Sequence, residues 1–123
     1  MKLQESGENY LETILVLKLK YGAVRSIDVA NELSYSKPSV SRAVSVLKSA
    51  GHITVDAKGM IELTDSGREI AETIYERHQL LTQYLMNIGV DEKTAAEDAC
   101  RIEHVISPVT FEKLKQHVQK TNR

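Results

Sequence analysis

Residues 36–63 read SKPSVSRAVSVLKSAGHITVDAKGMIEL, and this stretch decides the fold. Its first half has helical spacing. Val40, Val44 and Leu47 recur at i, i+4 and i+7, Ser36 stands where an N-cap belongs, and Pro38 falls in the first turn, where its missing N–H costs nothing. Gly51 ends that helix, and the period then changes. Ile53 and Val55 lead into Asp56-Ala57-Lys58-Gly59, and Met60, Ile61 and Leu63 lead out, the pattern of a two-stranded β-hairpin with a small loop.

Toward the N-terminus, Tyr10, Ile14 and Leu17, flanked by Leu11 and Leu15, predict a helix from about Glu8 to Tyr21 that Gly22 stops. Ser26 is read as the cap of a short second helix through Leu33, with Ile27, Ala30 and Leu33 on its inner side, and Ser34-Tyr35 as the tight turn after it. Three helices followed by a hairpin, in that order, is the winged form of the helix-turn-helix. Its third helix enters the major groove and its hairpin touches the flanking backbone.

With Val40, Val44 and Leu47 turned inward, Lys37, Ser39, Ser41, Arg42, Ser45 and Lys48 are left on the outer face. Hydroxyls and helix N-terminal amides bind phosphate oxygens, and an arginine can pair with guanine O6 and N7. The candidate DNA-binding residues are therefore Ser36, Lys37, Pro38, Ser39, Ser41, Arg42, Lys48 and the hairpin-tip Lys58, with Arg42 the first choice for base readout. Taken singly, Ser36 can be a cap and nothing more, and Lys58 can simply keep a loop soluble. Winged domains also serve as protein-binding modules.

The net charge of −1 over 123 residues looks wrong for a nucleic-acid binder until it is divided along the chain. Residues 36–60 carry a net +3, whereas residues 65–103 carry a net −5. Basic patches favour phosphate, and acid-rich segments are places for cations or for solvated faces. The length suits one domain or two small ones sharing a core. The composition, 41% hydrophobic and 27% charged with no long apolar run, points to a soluble protein without a membrane segment. The N-terminus has no secretion signal, and the single cysteine, Cys100, fits a reducing compartment, so a cytoplasmic location is expected.

Beyond the hairpin, Thr64 or Asp65 opens a long helical pattern in which Ile74, His78, Leu81, Leu85 and Ile88 form the apolar stripe before Gly89. Asp91 caps a further helix from Glu92 to about Ile106, Ser107-Pro108 punctuates, and a last amphipathic piece carries Phe111, Leu114 and Val118. In this half Cys100, Glu103 and His104 fall at i, i+3 and i+4, so a thiolate, a carboxylate and an imidazole share one helical face. His78 interrupts its apolar stripe, and Asn9 with Glu12 lies at i, i+3 on the first helix. Such a mixture suits Fe²⁺, Mn²⁺, Co²⁺ or Zn²⁺ better than Ca²⁺ or Mg²⁺. On spacing alone a small core cysteine, a surface Glu-His pair and a hydrogen-bonded core histidine are the commoner readings. No HExxH helix, glycine-rich phosphate loop or Ser-His-Asp pattern argues for an enzyme. A metal-independent winged regulator that answers to a small organic effector is the main alternative.

The order of elements, Ser-Lys-Pro-Ser-Val-Ser-Arg at 36–42, Leu63-Thr64 followed by Gly67, Arg77-His78 before Leu80-Leu81, and Cys100-Arg101-Ile102-Glu103-His104 together resemble the diphtheria toxin repressor family. That family comprises iron-dependent repressors and manganese transport regulators, and the resemblance covers about residues 5 to 118. It implies a mainly α fold with a small hairpin wing, in which residues 1–64 form the DNA-binding domain and residues 65–123 a helical metal-binding and dimerisation domain. It further implies a homodimer on a palindromic operator, loaded with Fe²⁺ or Mn²⁺, with Co²⁺, Ni²⁺ or Zn²⁺ as substitutes in vitro, and no organic cofactor. The family's metal ligands carry over to Asn9, Glu12, His78, Cys100, Glu103 and His104. Asn9 stands where relatives carry aspartate or methionine. Cys100 matches the iron branch, the manganese branch usually having glutamate there. Thr82 and Ala96 occupy positions that in the iron branch supply a second metal site, and the chain ends where many iron repressors continue into an SH3-like domain.

Overall fold

The computed structural model describes residues 5–121, and within them the elements run α1 (Glu5–Tyr21), α2 (Ser26–Leu33), α3 (Lys37–Ser49), β1 (Ile53–Val55), β2 (Ile61–Leu63), α4 (Asp65–Asn87), α5 (Glu92–Ile102) and α6 (Pro108–Thr121). The chain divides into two compact units, Met1–Glu72 and Thr73–Arg123.

In the first unit α1 packs on α2 and α3, α3 meets β1, and β2 meets α1. The core is the apolar set expected from periodicity. Leu11, Ile14 and Leu17 of α1 are buried with Val40, Val44 and Leu47 of α3 and with Ile53 and Ile61 of the hairpin. At about 25 cal/mol per Å² of apolar surface, such burial is the main favourable term for a unit of this size. The strands pair antiparallel with Ile53 opposite Leu63 and Val55 opposite Ile61. The hairpin loop is organised by Asp56, whose Oδ1 accepts from the backbone N–H of both Lys58 and Met60 at 2.9 Å. The hairpin is tied down from outside: the Ile61 N–H donates to Val24 O (2.8 Å), and Glu62 forms an ion pair with Lys18 of α1.

Three expectations about this unit need correction. The first helix begins at Glu5, three residues earlier than its apolar stripe implied. Ser26 is not the cap of α2. Arg25 takes that place with extended backbone, because Asp28 Oδ2 accepts from its N–H at 2.9 Å and moves the start back by one residue. As a result Val29 and Ala30 are the buried positions of α2, and Ile27 lies on the outer side, 40% exposed.

Gly67 fixes where α4 leaves the hairpin. A Cβ at this buried position would lie 1.9 Å from the backbone O of His52, so only glycine permits the approach. Thr64 and Ser66 complete the junction. Thr64 Oγ1 donates to Gly51 O (2.7 Å) and accepts from the Gly67 N–H (3.3 Å), and Ser66 Oγ lies 3.0 Å from His52 Nδ1.

In the second unit α4 and α6 are joined by the Glu76–Lys115 ion pair at 2.7 Å, which raises the Lys115 pKa, and by an edge-on contact of Tyr84 with His117. Ile88 lies beyond the end of α4 and is 63% exposed, so it does not extend the buried stripe. Asp91 caps α5 as expected: it accepts from the Thr94 N–H at 3.0 Å, which holds its carboxyl below the ordinary range. The expected helix to Ile106 stops at Ile102, and Glu103 to Val105 form a turn. The reason lies in the tertiary structure. The carbonyls of Glu103 and Ile106 are taken by the Arg77 guanidinium, at 3.1 and 3.2 Å, and Pro108 has no N–H with which to continue a ladder. Pro108 instead opens α6 behind Ser107, whose Oγ accepts from the Thr110 N–H (3.1 Å).

Candidate functional site

The outer face of α3 is built at its N-terminus. Ser36 has extended backbone, accepts from the Ser39 N–H at 3.3 Å and donates its hydroxyl proton to Ser39 Oγ at 2.8 Å; the guanidinium of Arg42 stands 3.5 Å from the same Ser39 oxygen. Lys37, Pro38, Ser41, Arg42, Ser45 and Lys48 are exposed, Ser39 is half-buried, and Lys58 is exposed at the hairpin tip. The outward assignments made from periodicity therefore hold for these positions except Ser39, which is half-buried where its oxygen meets Ser36 and Arg42. Lys37, Ser39, Ser41 and Arg42, in the first two turns of α3, give a surface suited to anions next to the helix N-terminus.

Periodicity missed one contributor to this surface. Ser26, displaced from the cap, is the first residue of α2 and with Ile27, Lys37 and Ser41 lines a surface depression of about 290 Å³. Only the capping contact of Asp28 could have revealed it, and an Asp two residues after a Ser is a weak signal.

Behind α3, Tyr10 of α1 packs edge-on against Tyr35 of the helix-turn-helix turn, with ring centroids 5.9 Å apart. Burial is the first cause that raises the Tyr10 pKa, and the neighbouring Tyr35 adds to it while Arg42 opposes it. The turn itself uses Ser34 in the left-handed region (φ 57°), with its N–H bonded to Ala30 O.

The second unit assembles a different chemistry. Glu103 is wholly buried; its Oε2 accepts from His78 Nδ1 at 2.8 Å, and its Oε1 lies 3.3 Å from His104 Nε2. One donor atom each from Cys100, Glu103 and His104 lie within 4.8 Å of one another. Although α5 ends at Ile102, the Glu103 backbone stays in the right-handed helical region (φ −58°, ψ −26°), so the i, i+3, i+4 face survives the end of the hydrogen-bond ladder. In the tautomer with the proton on Nδ1, facing the carboxylate, the imidazole lone pair falls on Nε2, the arrangement common among metal-ligating histidines.

The residues fit a divalent cation. Among the described residues, Glu103 Oε1 is buried without a hydrogen-bond partner, a costly state for a carboxylate oxygen that a bound cation would relieve. Imidazole, thiolate and carboxylate together favour first-row transition ions over Ca²⁺ and Mg²⁺. Asn9 and Glu12 belong to the first unit, where they lie on one side of α1, Glu12 buried and Asn9 half-buried.

Comparison with known proteins decides between the open readings. The N-terminal DNA binding domain of iron dependent repressors matches residues 2–60, and their metal binding and dimerisation domain matches residues 64–123. The chain belongs to the iron-dependent repressor family. An HTH-type transcriptional regulator of Methanocaldococcus jannaschii, itself uncharacterised, is 32% identical over 120 residues, covering 96% of each chain. The HTH-type transcriptional regulator MntR of Lysinibacillus sphaericus is 32% identical over 114 residues, 93% of this chain and 82% of that one. The structure of the manganese regulator SloR superposes with a TM-score of 0.82 at 28% identity over 97% of this chain. This chain spans 55% of the SloR chain. The expected fold class, a mainly helical winged helix-turn-helix regulator, stands, and this member of the iron-dependent repressor family is a metal-dependent transcriptional regulator. Among its described residues no helix is long and apolar enough to cross a membrane.

Proposed function

We propose that the chain represses metal-uptake genes by binding a palindromic operator as a homodimer when loaded with Fe²⁺ or Mn²⁺. The observation that carries this reading is the buried Glu103 carboxylate, gathered with His78, Cys100 and His104, whose Oε1 lies 3.3 Å from His104 Nε2 without making a hydrogen bond. Residues 1–64 read the DNA and residues 65–123 hold the metal and dimerise. The ligands are His78, Cys100, Glu103 and His104, with Asn9 and Glu12 of α1 assigned by the family resemblance. When bound, the ion supplies the positive charge that these donors share.

Ser36, Lys37, Ser39, Ser41 and Ser26 hold phosphate oxygens through hydroxyls, an ammonium and the amides at the helix starts. Arg42 reads a base edge, Lys48 and Lys58 meet flanking phosphates, and Pro38 presets the first turn of α3. Because α1 packs on both α2 and α3, whatever constrains α1 is felt by the recognition helix. A palindrome requires the two recognition helices of a dimer about one DNA turn apart. Metal raises operator affinity to the extent that it binds more tightly to the state with that spacing. The chain acts in the cytoplasm, without an organic cofactor or a membrane partner, and catalyses no reaction.

The test is a gel shift under anaerobic conditions, on duplexes selected from a random pool, with Fe²⁺, Mn²⁺ or chelator. Binding is expected with either ion and not with chelator. Equal binding in all three would point instead to a metal-independent regulator answering to an organic effector.

A further inference from the structure

Arg77 is the sequence neighbour of His78 on α4, yet its guanidinium engages the backbone on the far side of the site. The Nη1 group donates to Glu103 O at 3.1 Å and to Ile106 O at 3.2 Å, across 26 and 29 positions of sequence. Its plane lies over the Phe111 ring of α6 at 5.5 Å. The Arg77 Nε is buried without a hydrogen-bond partner among the described residues. A charged group is thus held in a partly desolvated position, with one N–H unanswered, where the bonds it makes go to the turn that carries Glu103 and His104.

We infer that Arg77 is a positioning residue for the metal centre, clamping the turn after α5 so that Glu103 and His104 keep helical directions beyond the helix end. This rests on the metal-binding reading given above. Residues 103–105 form the turn that follows α5, and the carbonyl of its C-cap residue Glu103 is among the groups a helix end leaves unsatisfied. A cation at a helix C-terminus is also favoured by the macrodipole. Arginine serves better than lysine here because its planar fork reaches two carbonyls while stacking on an aromatic face. The same α4 turn delivers His78 to Glu103, so the guanidinium couples the placement of three ligands by two backbone bonds.

The rival account is that Arg77 only packs α4 against α6. Co²⁺ titration of the full chain separates the two, read as affinity and as the visible absorption that reports coordination geometry, with chelated melting curves alongside. Arg77→Met keeps the aliphatic reach over Phe111 and removes the donors; it should weaken Co²⁺ about 10- to 100-fold and alter the absorption. Arg77→Lys should restore part of the affinity. Phe111→Leu, which removes the ring and leaves the clamp, should lower the melting temperature in chelator without moving the Co²⁺ spectrum. If Arg77→Met does not fold, Arg77→Lys carries the test. Wild-type affinity and spectrum in either folded Arg77 variant would overturn the inference and leave the metal-binding reading intact. Failure of the wild-type chain to bind Co²⁺ stoichiometrically would overturn both.

Discussion

His78 Nδ1 lies 2.8 Å from Glu103 Oε2, joining the middle of α4 to the first residue past α5. The carboxylate in this pair is fully buried, and its second oxygen has no hydrogen-bond partner among the described residues. The pair is better suited to receiving a cation than to stabilising the empty protein, because a buried charge left half satisfied offsets much of what its partner contributes. Glu103→Gln should therefore abolish the rise in melting temperature that Mn²⁺ gives the wild type. A ligand at 100 times its Kd stabilises by about 2.7 kcal/mol, so the lost shift is readily measured by calorimetry with and without chelator. A variant that kept the full shift would exclude Glu103 as a ligand.

Cys100 is exposed in the last turn of α5, with Glu103 and His104 donor atoms within 4.8 Å of a donor atom it offers. A thiolate is a soft ligand, and replacing it with a carboxylate hardens the site without changing its charge. Cys100→Glu should move the preference from Fe²⁺ toward Mn²⁺ by an order of magnitude or more, about 1.4 kcal/mol per tenfold change. Anaerobic competition between the two ions, followed by metal analysis of the recovered protein, checks this. An unchanged ratio would mean that Cys100 does not set selectivity.

The winged domain was legible in the sequence because its signals are local. The Val40-Val44-Leu47 stripe, the Ser36 cap and the change of period at Ile53 each reflect neighbours within a few residues, and all three stand in the structure. What escaped were contacts made across the fold. The turn that follows α5 accepts two hydrogen bonds from Arg77, 26 and 29 residues before the carbonyls it meets, which no helical periodicity records. The motif Arg77-His78 was visible, yet only the histidine had chemistry that could be read without knowing what lies opposite. Ile27 was placed inward by i, i+3 spacing from Ala30, and a one-residue shift in the helix start moved the buried face to Val29 and Ala30. In the candidate metal centre the spacing of Cys100, Glu103 and His104 was readable, whereas the His78–Glu103 pairing required the tertiary structure.

Arg42 and Lys58 should fail in different ways when removed. Arg42 is exposed on the face of α3 with its guanidinium beside Ser39, whereas Lys58 sits at the tip of a hairpin shaped by Asp56. A base contact carries about 1–3 kcal/mol of discrimination, and a phosphate contact carries none. Arg42→Ala should lower affinity for selected duplexes more than for random ones, while metal uptake stays unchanged. Lys58→Ala should weaken both equally and reduce the slope of log affinity against log salt by about 1. Fluorescence anisotropy across a salt series measures both quantities, and equal losses on the two duplex classes for Arg42→Ala would assign it to the backbone.

Gly67 tests how the hairpin is joined to α4. Its Cβ position lies 1.9 Å from His52 O and 2.9 Å from His52 C, both backbone atoms that cannot rotate away. Alanine there has to push α4 off the strand entry, which also stretches the Gly67 N–H to Thr64 Oγ1 bond and the Thr64 Oγ1 to Gly51 O bond. Overpacking of a close contact costs about 1–3 kcal/mol, and for a chain of this length that is a drop in melting temperature of several degrees. A helical glycine replaced by alanine would otherwise gain about 1 kcal/mol from propensity alone, so the two expectations differ in sign. Urea unfolding of Gly67→Ala in chelator decides between them. A midpoint equal to or above that of the wild type would mean that the backbone yields at this junction at negligible cost.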